Sequence, residues 1–448
     1  MKRPFLLVAA LSLAFPAPAS AQYRVDYETF TLDNGLRVIM AQDRSAPIVT
    51  INVWYNVGSA NERPGRSGFA HLFEHMMFYG SENVGQDEYM ATVLQAGGTL
   101  NGTTNNDRTA YYETLPSNRL NLGLWLEADR MRGLVINAEK FETQRNAVQE
   151  ERRLRVDNRP YKAFSEGPPL AYDSTTCFAY AHTVIGSMDD LNAAQVPDVE
   201  EFFHLYYAPN NATLAVVGDF DANEARALIE QYYGDIPRGA EPPQVGCEYQ
   251  YSAGAESMTW PDPLATIPAV LIIYNTPPHD DADTRALNLL GRVLSSGQSS
   301  RIYRALVRES RSALQAGGGA GGYRRAGNFT LFGIANQGVD INQVAEELRE
   351  QIALVVADGA TEEELQRAKN QLRSGTIFGN QTTMAISNRL QHYAHDHADL
   401  EEINTELDAF MSITVEDLQR VAAQYLTDEN SFTIIVEPDT EAEEGGVS

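Results

Sequence analysis

A chain of 448 residues that is 43% hydrophobic and 9% aromatic, with no apolar run beyond its N-terminus long enough to cross a bilayer, has the size and composition of a folded two-domain protein. Its formal charge of −27 argues against a nucleic-acid partner, because a phosphate backbone is repelled at long range, and most of that charge reads as a solubilising surface. Only Cys177 and Cys247 are present, which is too few for a disulfide framework and leaves open whether they form one bridge; their spacing does not suit a thiolate metal site.

In chain order, Met1-Lys2-Arg3, the apolar stretch from Phe5 to Phe15 and then Ala19-Ser20-Ala21 have the three regions of a secretory signal peptide. Cleavage after Ala21 and a periplasmic destination are expected, with residues 1–21 removed. A first domain over 22–237 carries the strand-like run Ile51 to Val57 and then His71-Leu72-Phe73-Glu74-His75. On a helix, positions i and i+4 share a face, so both imidazoles reach one ion while Glu74 borders the same face. This is the inverted form of a zinc-hydrolase motif, and its chance occurrence among eight histidines is on the order of 1%. Two neutral imidazoles and one further ligand leave a position on Zn2+ for water, whose pKa the ion lowers, and Glu74 is free to take the proton.

Thr99 to Tyr112 follows Gly97-Gly98 and reads as a hairpin with an edge strand. Gln144 to Leu154 reads as a helix without Gly or Pro, and either Glu150 or Glu151 on it offers a third ligand. Pro242-Pro243, Gly246 and Gly254 mark an interdomain linker over 238–258. Beyond it, Val270 to Thr276 repeats Ile51 to Val57. Counting fifteen residues on from Asn56 and from Asn275 sets His71 against Leu290, so the second domain, 259–436, is a copy without ligands. Val199-Glu200-Glu201 before the strand Thr213 to Val217 likewise matches Val415-Glu416-Asp417 before Phe432 to Val436. The fold class expected is α+β, two duplicated domains each with a mainly antiparallel sheet covered by helices. Gly317 to Gly322 reads as a flexible loop. His392, His395 and His397 read as a solvated helix end, His182, His204 and His279 as isolated structural or surface residues, and 437–448 as an acidic tail.

The run Gly68 to Gly80 resembles the active-site helix of the pitrilysin metallopeptidases, which include insulin-degrading enzyme and the mitochondrial processing peptidase. The likeness continues through Gly97 to Thr104, Gln149 to Arg153, Val184 to Met188 and Tyr207 to Ala212, and weakly at Ser299 to Tyr303. The resemblance implies that Glu151 is the third zinc ligand, that Glu74 is the catalytic base, that Asn101 and Gly102 bind the substrate backbone, and that the two halves form half of a peptidase chamber. Two departures are visible. Gln144 stands where many members carry an acid, and Val307 and Leu314 fall where active members supply an arginine and a tyrosine, with Arg308 or Tyr323 as substitutes if the alignment slips. The implied function is therefore a zinc endopeptidase subunit completed by a homologous partner chain or by a second copy of itself. The alternative is a non-catalytic peptide-binding or assembly subunit that retains zinc.

Overall fold

The computed structural model describes residues 24–86, 88–247, 256–397 and 399–439. The expected signal peptide and nearly all of the expected acidic tail lie outside these residues, as does the middle of the expected linker. The described residues form two sheets. The first runs β1 (Glu28–Thr31), β2 (Arg37–Gln42), β6 (Ala212–Gly218), β3 (Ile48–Tyr55), β5 (Thr109–Pro116), β4 (Thr99–Thr104). The second runs β7 (Glu256–Asp262), β11 (Ser431–Pro438), β8 (Ala269–Thr276), β10 (Gly327–Ala335), β9 (Ala313–Gly322), so a strand already begins inside the stretch expected as linker. Each sheet has one parallel pair, β2 with β6 and β7 with β11, and is otherwise antiparallel. From β2 and β7 onwards the two orders are the same, which is the duplicated α+β architecture expected.

The central strands show why both sheets are stable. Along β3, Val49, Ile51, Val53 and Tyr55 alternate into a core shared with the first half's own helices. The opposite face is closed by a helix of the second half, Thr383–Asp396. The hydroxyls of Thr50 and Thr383 are 2.7 Å apart, Asn52 Nδ2 donates to Ser387 Oγ and Asn388 Oδ1, and Gln391 Nε2 donates to the carbonyls of Asn52 and Thr213. Ile386, Leu390, Tyr393 and Ala394 complete the seam against β2 and β6.

The second sheet is covered reciprocally. Val270, Ile272 and Tyr274 of β8 face their own helices, while Leu271 and Ile273 pack against Ala163 and Phe164 of the first half. Each half thus lends a segment to the other's sheet. Without these segments each sheet would expose an apolar face, so the halves form one interdependent unit. Gly317 to Gly322 is strand rather than loop: β9 pairs with β10 along nearly its whole length, and the absence of a side chain at Gly291, where a Cβ would lie 3.0 Å from Gly319 Cα, lets the helix Ala282–Ser295 approach. Glycine's low strand propensity is outweighed by pairing and packing.

Cys177 and Cys247 are joined in a disulfide across 70 residues, which fastens the end of the described linker to the first half. Closing a loop of that length restricts the unfolded chain, and the bridge stabilises by up to about 4 kcal/mol. Reduction, or the pair Cys177→Ser and Cys247→Ser, is expected to lower the melting temperature. Thiol titration of the denatured, unreduced protein should find no free cysteine, and two free thiols would contradict the bridge.

Candidate metal centre

The helix Phe69–Met76 is amphipathic: Phe69, Ala70, Leu72, Phe73 and Met76 are buried, and His71, Glu74 and His75 are half-buried on the other side. Its start is fixed from beneath. Gly68 has φ +88°, and a Cβ there would lie 2.7 Å from the carbonyl oxygen of Ile185. The wholly buried Glu62 accepts the N–H groups of Gly68 and Ala70 at 2.8 and 2.7 Å, which satisfies donors that a helix start leaves open. His182 holds Glu62 in turn, with Nε2 3.0 Å from its carboxylate and Nδ1 2.8 Å from the carbonyl of Phe178. Burial pushes Glu62 up, against the His182 and backbone donors that favour its ionised form. Burial also opposes the charge on His182, but Glu62 and the two facing carbonyls outweigh it, so His182 binds its proton more tightly than usual.

The third element is the helix Ala138–Arg152, capped at its start by Asn137, whose side chain accepts from Lys140 N. Glu151 points back at the motif helix: its Oε2 is 3.4 Å from His75 Nε2 and 3.7 Å from His71 Nε2. These separations are too long for hydrogen bonds. Donors around a tetrahedral zinc with bonds of about 2.1 Å sit roughly 3.4 Å apart, so the spacing is that of atoms sharing an ion. Among the described residues this is the one group of three His, Cys, Asp or Glu side chains whose ligand atoms converge within 4.8 Å.

The donors are also in the right charge state. Burial, reinforced by His75 and Arg155, pushes His71 down to about 3, and burial lowers His75 against the pull of Glu151 and Gln144. Both imidazoles are therefore neutral near pH 7 and have lone pairs to give. Glu151's other oxygen is 2.5 Å from Arg155 NH1, on a π-helical turn, Arg153–Asp157, that continues the helix. Glu150 turns away to Arg153 on the exposed side, which separates the two glutamates that spacing left equivalent. Gln144 is buried beside His75 and raises its proton affinity, an amide where an acid is usual in the resembled family.

Glu74 lies against β4, the edge of the first sheet. Thr104 Oγ1 donates to its Oε2 at 2.6 Å, and a Cβ at Gly102 would come within 3.0 Å of Glu74 Cγ and of the Phe78 ring. Gly102 is thus required for the helix to sit on the strand. Asn101 is exposed on the same strand, and its side-chain oxygen accepts from Gly102 N at 3.0 Å. Arg108, stacked 4.7 Å over Trp54, donates to the carbonyl and hydroxyl of Thr103 and braces the hairpin. Burial raises Glu74's proton affinity, Glu151 adds to it, and Thr104 opposes it.

Sequence reasoning missed Glu62, Thr104 and Arg155. Thr104 and Arg155 were within reach, being a hydroxyl on the flagged strand and a cation four residues after the proposed ligand, whereas Glu62 has no local signal. Of the suggested second-half substitutes, Arg308 is exposed and Tyr323 stacks on Tyr180 at 4.6 Å. The strongest influences on His71, Glu74 and His75 all come from the first half.

Residues 37–166 match the family model described as Insulinase (Peptidase family M16), and residues 193–372 match that described as Peptidase M16 inactive domain. The chain is 28% identical to the zinc protease PqqE of Helicobacter pylori over 98% of its length and 99% of that protein's. It is 23% identical to the beta subunit of the mitochondrial-processing peptidase of Lentinula edodes over 90% of its length and 88% of that protein's. Among solved structures, a protease from Helicobacter pylori superposes with a TM-score of 0.88 at 28% identity, covering 93% of this chain and all of the other. The periplasmic protease PqqL of Escherichia coli shares the fold at 19% identity and a TM-score of 0.75, with 96% of this chain matching 49% of that one.

Thr104 offers a direct test of Glu74's state. Its hydroxyl favours the carboxylate, so Thr104→Val raises the pKa of Glu74 and moves the acid limb of kcat/KM to higher pH. Activity should fall most on the acidic side and recover as pH rises; an unmoved limb would separate Glu74 from the titrating base.

Proposed function

Because the chain belongs to the M16 peptidase family, we propose that it is an exported zinc-dependent endopeptidase acting on peptides or unfolded segments. The observation that carries this reading is the convergence of His71, His75 and Glu151 beside the half-buried carboxylate of Glu74, which lies against a sheet edge. When bound there, Zn2+ supplies Lewis acidity to a carbonyl and acidifies water. The chain's own residues do the rest. His71 and His75 as neutral imidazoles, with Glu151 held by Arg155, form the ligand set. Glu74, with a raised proton affinity, accepts the proton of the attacking water and passes it to the leaving amine. An extended peptide adds alongside β4, with Asn101 and the backbone of Gly102 facing it, so that its scissile carbonyl is held against the site.

The second half is the inactive copy, and completion of the site by a homologous partner or a second copy follows from its lack of polar groups at Val307 and Leu314. PqqL, which is about twice this chain's length in the shared fold, supports the idea that two such lengths belong together.

Glu74→Gln is expected to keep stoichiometric zinc and to reduce peptide hydrolysis by at least about a thousandfold, as loss of a general base and of its proton delivery together demand. A zinc-loaded variant with near-normal turnover would remove Glu74 from this role. Wild-type protein that binds peptide yet shows no chelator-sensitive cleavage, alone or with partner, would favour the peptide-binding alternative. Specific activity should rise with chain concentration or on adding a homologous partner; full turnover by a dilute monomer would sink partner dependence.

A further inference from the structure

Of the histidines at the end of the helix Thr383–Asp396, which the sequence suggests are solvated, His395 and His397 have buried side chains and only His392 is substantially exposed. His395 is buried, edge-on to Trp54 at 5.7 Å, with Nδ1 2.6 Å from Asp396 Oδ1. His392 and His397 turn the other way and meet His279, from the loop after β8. The three ring centroids lie 5.0, 5.4 and 5.9 Å apart, bordering a cavity of about 350 Å3 that Glu406 also lines.

Each ring has an acceptor beside one nitrogen. His392 Nδ1 is 2.8 Å from Asp396 Oδ2, His397 Nδ1 is 3.1 Å from Glu402 Oε2, and His279 Nε2 is 3.0 Å from the carbonyl of Asp396. The hydrogen bonds of His392 and His279, and the carboxylate beside His397 Nδ1, favour the proton on the nitrogen they face and leave the lone pair on the other, namely His392 Nε2, His397 Nε2 and His279 Nδ1. An imidazole that gives its N–H to a carboxylate or carbonyl and keeps the opposite nitrogen free is in the state in which histidine ligates metal. The spacing agrees: imidazoles on one tetrahedral ion at about 2.1 Å place their centroids roughly 5 Å apart.

We propose that His279, His392 and His397 form a second metal site, for Zn2+ or a similar borderline divalent ion, distinct from His71, His75 and Glu151. The free nitrogens do not yet converge at ligand distance as the first triad does, so the ion draws the rings together as it binds. Its position gives it a structural role. His279 belongs to the second sheet's end, while the helix carrying His392 lies on the first sheet, so the ion staples the crossing where one half covers the other. Arg324 ties the same crossing by donating to Asn56 and to the carbonyl of His395, and through its N–H to Asp107.

The experiment is a Co2+ titration of the chelator-stripped full chain, read by visible absorption and by metal analysis after gel filtration, on wild type, His71→Ala/His75→Ala and His392→Ala/His397→Ala. Two retained equivalents are expected for wild type and one for each double variant. In the His71→Ala/His75→Ala protein, added Zn2+ should raise the melting temperature, because binding to the folded state alone stabilises it. His279→Gln, a single change in a loop, should weaken the second equivalent at least tenfold and serves if the His392/His397 variant does not fold. No equivalent in His71→Ala/His75→Ala, or unchanged uptake in His279→Gln, would overturn the proposal, whereas one equivalent in wild type that persists in His71→Ala/His75→Ala would count against the first triad instead. None of these results depends on peptidase turnover.

Discussion

The close seat of the motif helix on strand β4 is the contact on which the rest of the site depends. Gly102 allows it, since any side chain there would strike Glu74 and Phe78. With the helix so near, Glu74 reaches Thr104 while His71 and His75, on the adjacent face, look towards Glu151. One packing distance therefore sets Glu74 against the strand and His71 and His75 against the neighbouring helix. Backing comes from the buried Glu62, which takes two N–H groups of the helix start, and from the meeting of Gly68 with Gly186. A rigid start matters because a site of this kind tolerates little displacement of the groups that meet the substrate.

A second buried charge lies beneath the same strands. Arg130 is wholly enclosed, paired with Glu127 and faced by the rings of Tyr111, Tyr89 and Phe78. Nearby Glu113 has neither oxygen in a hydrogen bond, and burial and then Glu127 push its proton affinity well up. An isolated buried ion would be costly, and here the Glu127 carboxylate balances the Arg130 guanidinium. Phe78 links this cluster to the motif helix, since it touches Arg130 on one side and approaches Gly102 on the other.

What the sequence made legible follows from how local each signal is. His71, Glu74 and His75 lie within little more than one helical turn, so spacing alone places them on one side of a helix, where the structure has them. Glu151 could be separated from Glu150 only by the family likeness or by seeing which one faces the motif helix. The repeat was readable because the strands of both halves preserve their order and their counts. The glycines of β9 were misread because their strand state depends on β10 and on the helix above, neither of which leaves a mark in the segment itself. The His392 to His397 group was misread for the same reason: its partner His279 comes from far back in the chain, and the helix is covered by a sheet of the other half.

The duplication also explains why only one half retains the ligands. In the second half, Leu290 and Leu294, the counterparts of His71 and His75 by count, are fully buried, and Val293, opposite Glu74, is 1% exposed. There the face that would hold ligands is packed into the core, with Gly291 near Gly319 of β9. Imidazoles at those positions would be desolvated without a cation and would cost stability. In the first half the matching face is left half-open along β4, and two imidazole nitrogens and a carboxylate converge there. The same helix-on-edge-strand arrangement has thus been used twice, once to fill a core and once to leave room for chemistry.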